Sequence, residues 1–427
     1  MRFIGLDVHR DFCEVAISEG GKARAAGRIA ARPDELELFA QSLGGDDRVV
    51  LEATGNALAI ARILEPHVGE VVLAHPKKLR AICEAKVKTD KLDARTLAEL
   101  LAADLVPCVW VGDERTRMLR RLISRRRQLV KQRTAAKNAI SAVLMRNLKG
   151  RPPCSDLFGR AGRWWLAELE LPIDERQTAD ACLRQLDFLG EELALVDRAI
   201  AEQALAEPEI RRLMTIPGVD VTTAATLIAV IGDVGRFPSS RHLVGYLGLH
   251  PRLRQSGTAP ARHGRTSKEG SAAARHVLVE AAWSAAKAPG PLRAFAERTA
   301  ARRGRNVATV AVARKLSVLA WHLLTREQDY AFQRPSLVRR KLRRLELRTG
   351  APRAKRRPGA AALWGSRDDD ERERELALQA EVAYQRLVTD WQRSRPKQGA
   401  GATPGRASSR PSKRQAARQG TAPRPAL

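Results

Sequence analysis

The chain has 427 residues, 44% of them hydrophobic, which allows roughly three domains and a sizeable core. Lys and Arg number 76 against 48 Asp and Glu, a net charge of +28 with an isoelectric point near 11.0, so the fitting partner is a polyanion, nucleic acid first. No apolar run reaches the roughly 18 residues of a membrane span, no CxxC or HExxH metal motif occurs, and the start MRFIGLDVHRDF reads as a strand rather than a secretory signal. Cys13, Cys83, Cys108, Cys154 and Cys182 are widely scattered, an odd count that suits a reducing compartment and small apolar fillers.

The first 110 residues alternate strands and helices. Phe3 to Val8 reads as a short buried strand, with Cys13–Ile17 and Ala23–Ile29 as hairpin partners around a Gly20-Gly21 turn. Helical periodicity runs from Asp34 to Leu43, after Pro33. Arg48–Ala53 is a strand that stops at Thr54-Gly55-Asn56. A helix follows over Ala57–Leu64, then a strand over Glu70–Ala74 closed by Pro76, then a helix over Lys91–Leu101. This order predicts a mixed sheet with helices on its faces in a domain of residues 1–112. Residues 113–206 read as an elongated helical arm broken at Gly150-Arg151-Pro152-Pro153. Its second half carries a heptad-like seam of Leu183, Leu186, Leu189, Leu193, Val196 and Ile200, which fits either a coiled coil or a plain two-helix packing element. Residues 207–330 form a second globular region, mainly α-helical. Residues 331–427 form a basic, partly disordered extension, with helical patterns at Arg339–Arg348 and Asp368–Trp391 and a Pro-, Ser-, Gly- and Arg-rich tail from Arg393.

Four carboxylates stand out in the first domain. Asp7 lies in the middle of an apolar strand and Glu52 at the end of another, where an unpaired charge is expensive to bury. Asp90 and Asp93, spaced i,i+3 at a helix start, share one face. Singly, each has an ordinary use: Asp90 as a helix cap, Asp93 as a surface ion-pair partner. Together, in this order, they suit two-metal phosphodiester chemistry, which needs three or four carboxylates converging on Mg²⁺ or Mn²⁺. The stretches Gly5-Leu6-Asp7-Val8-His9, Leu51-Glu52-Ala53-Thr54-Gly55 and Lys88-Thr89-Asp90-Lys91-Leu92-Asp93-Ala94 resemble those of the DEDD transposases of bacterial insertion sequences. The resemblance implies an α/β domain of RuvC-like, ribonuclease H-like fold, with Asp7, Glu52, Asp90 and Asp93 as metal ligands.

The second globular region continues the resemblance. Leu213–Val219, with Ile216-Pro217-Gly218, begins a helix–hairpin–helix-like pattern whose second helix runs over Thr222–Ile231. Backbone N–H groups of such a hairpin can hold a phosphate. Tyr246-Leu247-Gly248-Leu249-His250-Pro251, Gln255-Ser256-Gly257 and Ser267-Lys268-Glu269-Gly270 followed by Arg275 resemble the C-terminal transposase domain of the same family, and the two halves together span about residues 1–325. The resemblance implies that Ser256 becomes covalently joined to DNA, with Ser267 as its rival or else as the cap of the following helix. It also implies a guide non-coding RNA, a homo-oligomer (dimer or tetramer) assembled through the arm, and a cytoplasmic, nucleoid-associated bacterial protein. Residues after 333 have no counterpart in it and read as a solvated basic extension.

The leading expectation is therefore a DNA transposase or recombinase using Mg²⁺ (or Mn²⁺) and a serine nucleophile; the absence of GxxxxGK[ST] agrees with a reaction that needs no ATP. A metal-dependent Holliday-junction-type endonuclease using water is the alternative, separated by a covalent protein–DNA adduct. A non-catalytic nucleic-acid-binding protein is a third reading, separated from both by metal-dependent cleavage.

Overall fold

The computed structural model describes residues 1–82, 89–352 and 367–394. Cys83, Lys88 and the basic tail beyond Ser394 lie outside them. The chain divides into two units, Met1–Leu193 with Ile228–Arg236, and Ala194–Leu227 with Phe237–Leu427.

The first unit opens with β1 (Phe3–Val8), β2 (Phe12–Glu19), β3 (Lys22–Ala30), α1 (Pro33–Gln41), β4 (Arg48–Glu52), α2 (Ala57–Leu64), β5 (Glu70–Ala74), α3 (Pro76–Ile82) and α4 (Asp90–Ala102). The strands form one mixed sheet in the order β3-β2-β1-β4-β5. β1–β2 and β2–β3 pair antiparallel, whereas β1–β4 and β4–β5 pair parallel. This α/β architecture is compatible with a ribonuclease H-like fold. Every strand read from the sequence is present. The glycines of the β2–β3 turn, Gly20 and Gly21, both take positive φ, which a two-residue hairpin turn of this kind requires. Helix α3 is not expected from the sequence, where Pro76 reads as the end of β5; it is instead the first residue of a helix.

Strand alternation sorts the two faces. Ile4, Leu6 and Val8 of β1 join Val49 and Leu51 of β4 in a core with Leu36, Ile60 and Leu64 of α1 and α2. The opposite face carries Val50 and Val72, which pack on Leu97 and Leu101 of α4. Gly5 is on this second face, and α4 lies directly over it. A Cβ at Gly5 would stand 2.2 Å from the Ala94 carbonyl oxygen and 2.6 Å from the Ala98 nitrogen. The small pair Ala94 and Ala98 on the helix, opposite a glycine on the strand, is what lets α4 sit so close. Gly5→Ala is expected to force α4 off the sheet, at about 2 kcal/mol or more by the usual cost of overpacking. Chemical denaturation of the full-length variant measures it, and unchanged stability would contradict the packing argument.

Beyond the sheet, α5 (Glu114–Arg146), α6 (Arg160–Glu168) and α7 (Ile173–Ala206) form the arm. Arg146 pairs with Glu175 and Arg125 with Glu192, so α5 and α7 run antiparallel. Ala136, Ile140 and Leu144 of α5 close on Leu166 of α6 and Leu186 of α7. The short helix α6, absent from the sequence reading, fills the turn of this hairpin with apolar surface. The seam residues of α7 from Leu186 to Ile200 are all buried.

The second unit is helical, with one two-stranded ribbon. It holds α8 (Pro208–Met214), most of α9 (Val221–Ile231), α10 (Ser240–Tyr246), β6 (Pro251–Arg254), β7 (Arg262–Thr266), α11 (Ala272–Ala285), α12 (Pro291–Arg303), α13 (Arg305–Arg326), α14 (Pro335–Arg348) and α15 (Arg367–Ser394). Among the described helices, α13 alone is long and apolar enough to cross a membrane, by length and composition. It is instead a core helix: Val312, Ala313, Leu316, Ala320 and Leu324 are buried, and it packs on α10, α11 and α12.

The segment read as a solvated extension folds over much of its length. On α15, the buried Glu381 accepts from the Gly290 backbone N–H at 2.9 Å and from Arg293 Nε at 3.0 Å. At the start of α14, Ser336 donates its hydroxyl to Glu373 at 2.6 Å and its N–H to the same carboxylate at 3.0 Å. The acidic residues of α15, which composition alone makes look like solvent-facing charge, are partners for the amides and arginines of α12 and α14.

Candidate metal and strand-cleavage site

The face of the sheet covered by α4 is the acidic one. Gly5, Asp7 and His9 alternate along β1 and just past its end, and Val50 and Glu52 share that parity on β4. β1 and β4 pair in parallel with Leu6 opposite Leu51, so Asp7 and Glu52 stand at the same level at the carboxyl ends of neighbouring strands. In α4, Asp90 lies one turn before Ala94, and Asp93 one turn before Leu97, so both carboxylates prolong the stripe that faces the sheet. The cap of α4 is Thr89, whose hydroxyl accepts from Leu92 N–H at 3.4 Å. Asp90 is thereby released from the capping role open to it on sequence and becomes the first helical residue.

Asp7, Glu52 and Asp93 line one pocket, together with Pro76, Leu79 and Arg80 of α3 and Thr96 and Leu97 of α4. Asp90 is attached to it through His9. The imidazole Nε2 lies 3.2 Å from Asp7 Oδ2 and 3.3 Å from Asp90 Oδ2. Asp7 is 16% exposed, His9 38% and Asp90 47%, so the group grades from the strand outward to solvent. Burial, and with it the negative charges of Asp93 and Asp90, pushes the Asp7 carboxyl above its ordinary range, while His9 pulls it down. A loop contact steadies His9: Asn56 Nδ2 donates to its carbonyl oxygen at 2.8 Å, and its ring packs on Phe12 with centroids 4.5 Å apart.

The fit to a metal can be judged on this geometry. One ligand atom from each of Asp7, His9 and Asp90 lies within 4.8 Å of the other two, close enough to share a single cation. Burial first, and then the charges of Asp93 and Asp90, disfavour the ionised Asp7 carboxyl, and a cation there would favour it. Hard carboxylate oxygens with one imidazole suit a divalent cation of the Mg²⁺ or Mn²⁺ kind. His9 was not singled out on sequence, although its i+2 spacing from Asp7 on a strand was the available signal. Arg80 was missed along with α3.

Ser256 belongs to the second unit, in the loop between β6 and β7. Residues 252–260 are all exposed, and Gly257 takes φ +57°, the left-handed region that admits glycine freely. The ribbon itself was not anticipated: the segment is polar enough to read as a flexible loop. Its register sets Arg254 directly opposite Arg262, and no acidic residue occurs between Tyr246 and Glu269. Like charges directly opposed on a ribbon destabilise it, and an anion between them removes that cost. Ser267 differs in every respect. It is 4% exposed, its hydroxyl lies 3.4 Å from His250 Nδ1, and it accepts from Glu269 N–H at 3.4 Å. The cap of α11 is Ser271, which accepts from Ala274 N–H, so the capping role allowed to Ser267 falls to another serine. In the Ile216-Pro217-Gly218 hairpin, Asp220 already accepts from Thr223 N–H at 2.8 Å, placing a carboxylate where the phosphate was expected at the start of α9. Pro217 is buried there and Gly218 is pressed against α11.

Comparison with known proteins divides along the same lines. A transposase model of the DEDD type of IS110 matches residues 4–147, and a model described as transposase of the IS116/IS110/IS902 family matches residues 210–297. The transposase for insertion sequence element IS1111A of Coxiella burnetii is 27% identical over 348 residues, 77% of this chain and 91% of that protein. The transposase for IS1328 of Yersinia enterocolitica is 26% identical over 209 residues, 49% of this chain and 62% of its own. The pilin gene-inverting protein of Moraxella lacunata is 27% identical over 222 residues, 49% of this chain and 58% of its own. The acidic pocket and the ribbon serine each fall inside a matched segment, and the segments follow in the family's order: the chain belongs to the IS116/IS110/IS902 family, the DEDD-type insertion-sequence transposases, and is a DNA-recombining enzyme.

Proposed function

We propose that the protein cuts and rejoins DNA strands with Asp7, Glu52, Asp90 and Asp93 as the acidic site and Ser256 as the nucleophile, on a RuvC-like first domain. The observation that carries this reading is the meeting of Asp7, Glu52 and Asp93 in one pocket with Asp90 tied to Asp7 through His9. A Mg²⁺ or Mn²⁺ ion bound there would polarise the scissile phosphate and stabilise the attacking and leaving oxygens. The chain's own groups do the rest. The carboxylates hold their geometry through the close packing of α4 on Gly5. Arg254 and Arg262 seat the phosphate beside the Ser256 loop. The Ser256 hydroxyl attacks phosphorus and loses its proton, and a sugar hydroxyl leaves with one. The phosphoester to serine keeps the bond energy, so a second strand's hydroxyl can attack it and release Ser256 without ATP.

Homo-oligomerisation through the α5–α7 arm and guidance by a non-coding RNA follow from the family resemblance, and the net charge of +28 suits both nucleic acids. A nucleoid-associated, cytoplasmic placement belongs to the same reading. The test is a two-plasmid recombination assay in cells, with one plasmid carrying the DNA that flanks the gene. Sequenced junctions that require the protein support the reading; their absence, with the protein folded and expressed, overturns it. Nucleic acid sequenced from the purified protein tests the guide: a recurrent RNA encoded beside the gene is expected.

The arginine ribbon makes a separate prediction. Arg254→Ala with Arg262→Ala is expected to weaken DNA binding across sequences and to lower the slope of log affinity against log salt by about 2, one for each lost phosphate contact. Thermal stability should hold or rise, since opposed like charges are removed. An unchanged salt slope would take the ribbon out of the phosphate path.

A further inference from the structure

Lys341 of α14 is a half-buried lysine whose ammonium meets no carboxylate among the described residues; three backbone carbonyl oxygens receive it instead. Nζ donates to Met214 O at 2.6 Å, Ile216 O at 3.1 Å and Val219 O at 2.8 Å. An ammonium has three hydrogens to give, and here each has one acceptor. The acceptors come from the C-terminal end of α8 and the Pro217-Gly218 turn, where helical carbonyls lack intrahelical partners and the helix dipole favours a cation. The turn is clamped from its other sides too. Gly218 takes φ +85°, and a Cβ there would stand 2.5 Å from the Ala281 carbonyl oxygen of α11. Thr215 Oγ1 accepts from Tyr330 N–H at 3.0 Å. Met214, Ile216 and Val219 are each about 1% exposed, so the acceptor carbonyls belong to buried residues.

We propose that the Met214–Val219 turn is a monovalent-cation seat built of backbone carbonyls, and that the Lys341 ammonium is its tethered occupant. Three neutral dipoles with no carboxylate among them suit a single positive charge, as carbonyl rings do when they replace a potassium ion's hydration shell. Two charged groups act on the ammonium: Asp220 favours it and Arg344 opposes it. Burial lowers the lysine to about 8, which leaves the charged form dominant at neutral pH. The turn lies within the family-matched residues 210–297, whereas Lys341 lies outside both matched segments. The occupant is thus supplied by the C-terminal helices, whose role is to lock this turn.

The test is chemical rescue in the full-length chain. Melting temperatures are measured in choline chloride, ammonium chloride and potassium chloride at equal ionic strength. The wild type should melt alike in all three. Lys341→Ala should fall by roughly 5 °C or more in choline chloride and recover at least about half of that in ammonium or potassium chloride, because a free ion then fills the seat. Lys341→Met, which keeps the stem and blocks the seat, should fall and not recover. A thallium-205 signal from bound Tl⁺ should appear on Lys341→Ala and not on the wild type. If Lys341→Ala is soluble only when prepared in ammonium or potassium salts, that counts as rescue. No loss in choline, a loss that no cation repairs, or insolubility in every salt overturns the proposal.

Discussion

Asp7→Asn should abolish metal-dependent strand cleavage, by more than about a hundredfold, while DNA affinity and the fold persist. The expectation rests on where Asp7 sits. It is far less exposed than Asp90, stands on the central strand, and links the pocket to Asp90 through His9. Asparagine is the same size and can still meet the His9 imidazole, so the packing of α4 over β1 has no reason to change. Burial and two neighbouring negative charges already press on Asp7, so removing its charge relieves repulsion, and the variant should be at least as stable as the wild type. Cleavage assayed over a Mg²⁺ titration, with a melting curve beside it, checks both halves. Wild-type cleavage in Asp7→Asn, or in excess chelator, would remove the pocket from the chemistry.

Ser256→Ala should eliminate a covalent protein–DNA adduct, and Ser267→Ala should keep it. Ser256 stands on an exposed loop with a left-handed glycine beside it and the Arg254–Arg262 pair at its base, so a phosphate can reach it. Ser267 is buried and engaged with His250 and the Glu269 amide, so its hydroxyl is not open to a phosphate. Labelled DNA incubated with protein and Mg²⁺, then denatured, shows label on the polypeptide if the serine has reacted. Loss of label in Ser267→Ala alone would move the nucleophile to that serine.

The sheet was legible in the sequence because its strands obey short-range rules. Short strands of five to nine residues, most with an apolar centre and several closed by Gly20-Gly21 or Thr54-Gly55-Asn56, leave few alternatives. The four carboxylates were legible for a related reason: an acid inside an apolar strand conflicts with its surroundings, and that conflict is visible without coordinates. What the sequence concealed depends on long-range partners. His9 looks like any polar residue at a strand end until Asp90 is brought to it across 81 positions of chain by the Gly5–Ala94 contact. Helices α14 and α15 look solvated because their charges are read without partners, yet Glu381, Glu373 and Lys341 are satisfied by groups 88 to 127 residues away or, for Glu373, by Ser336. Pro76 misled for the opposite reason, since proline both ends one element and begins the next.

The central claim is that strand cleavage conserves bond energy on the protein. It is tested most directly by counting DNA ends in one purified reaction, with Mg²⁺ and without ATP. At each time point, strands cut, strands attached to protein and strands joined to a new partner are measured together. The account predicts that attached and joined strands together equal the strands cut, with adducts rising first and falling as junctions appear. Free ends accumulating in step with cutting, with neither adduct nor junction, would contradict it and leave a metal-dependent junction nuclease that uses water.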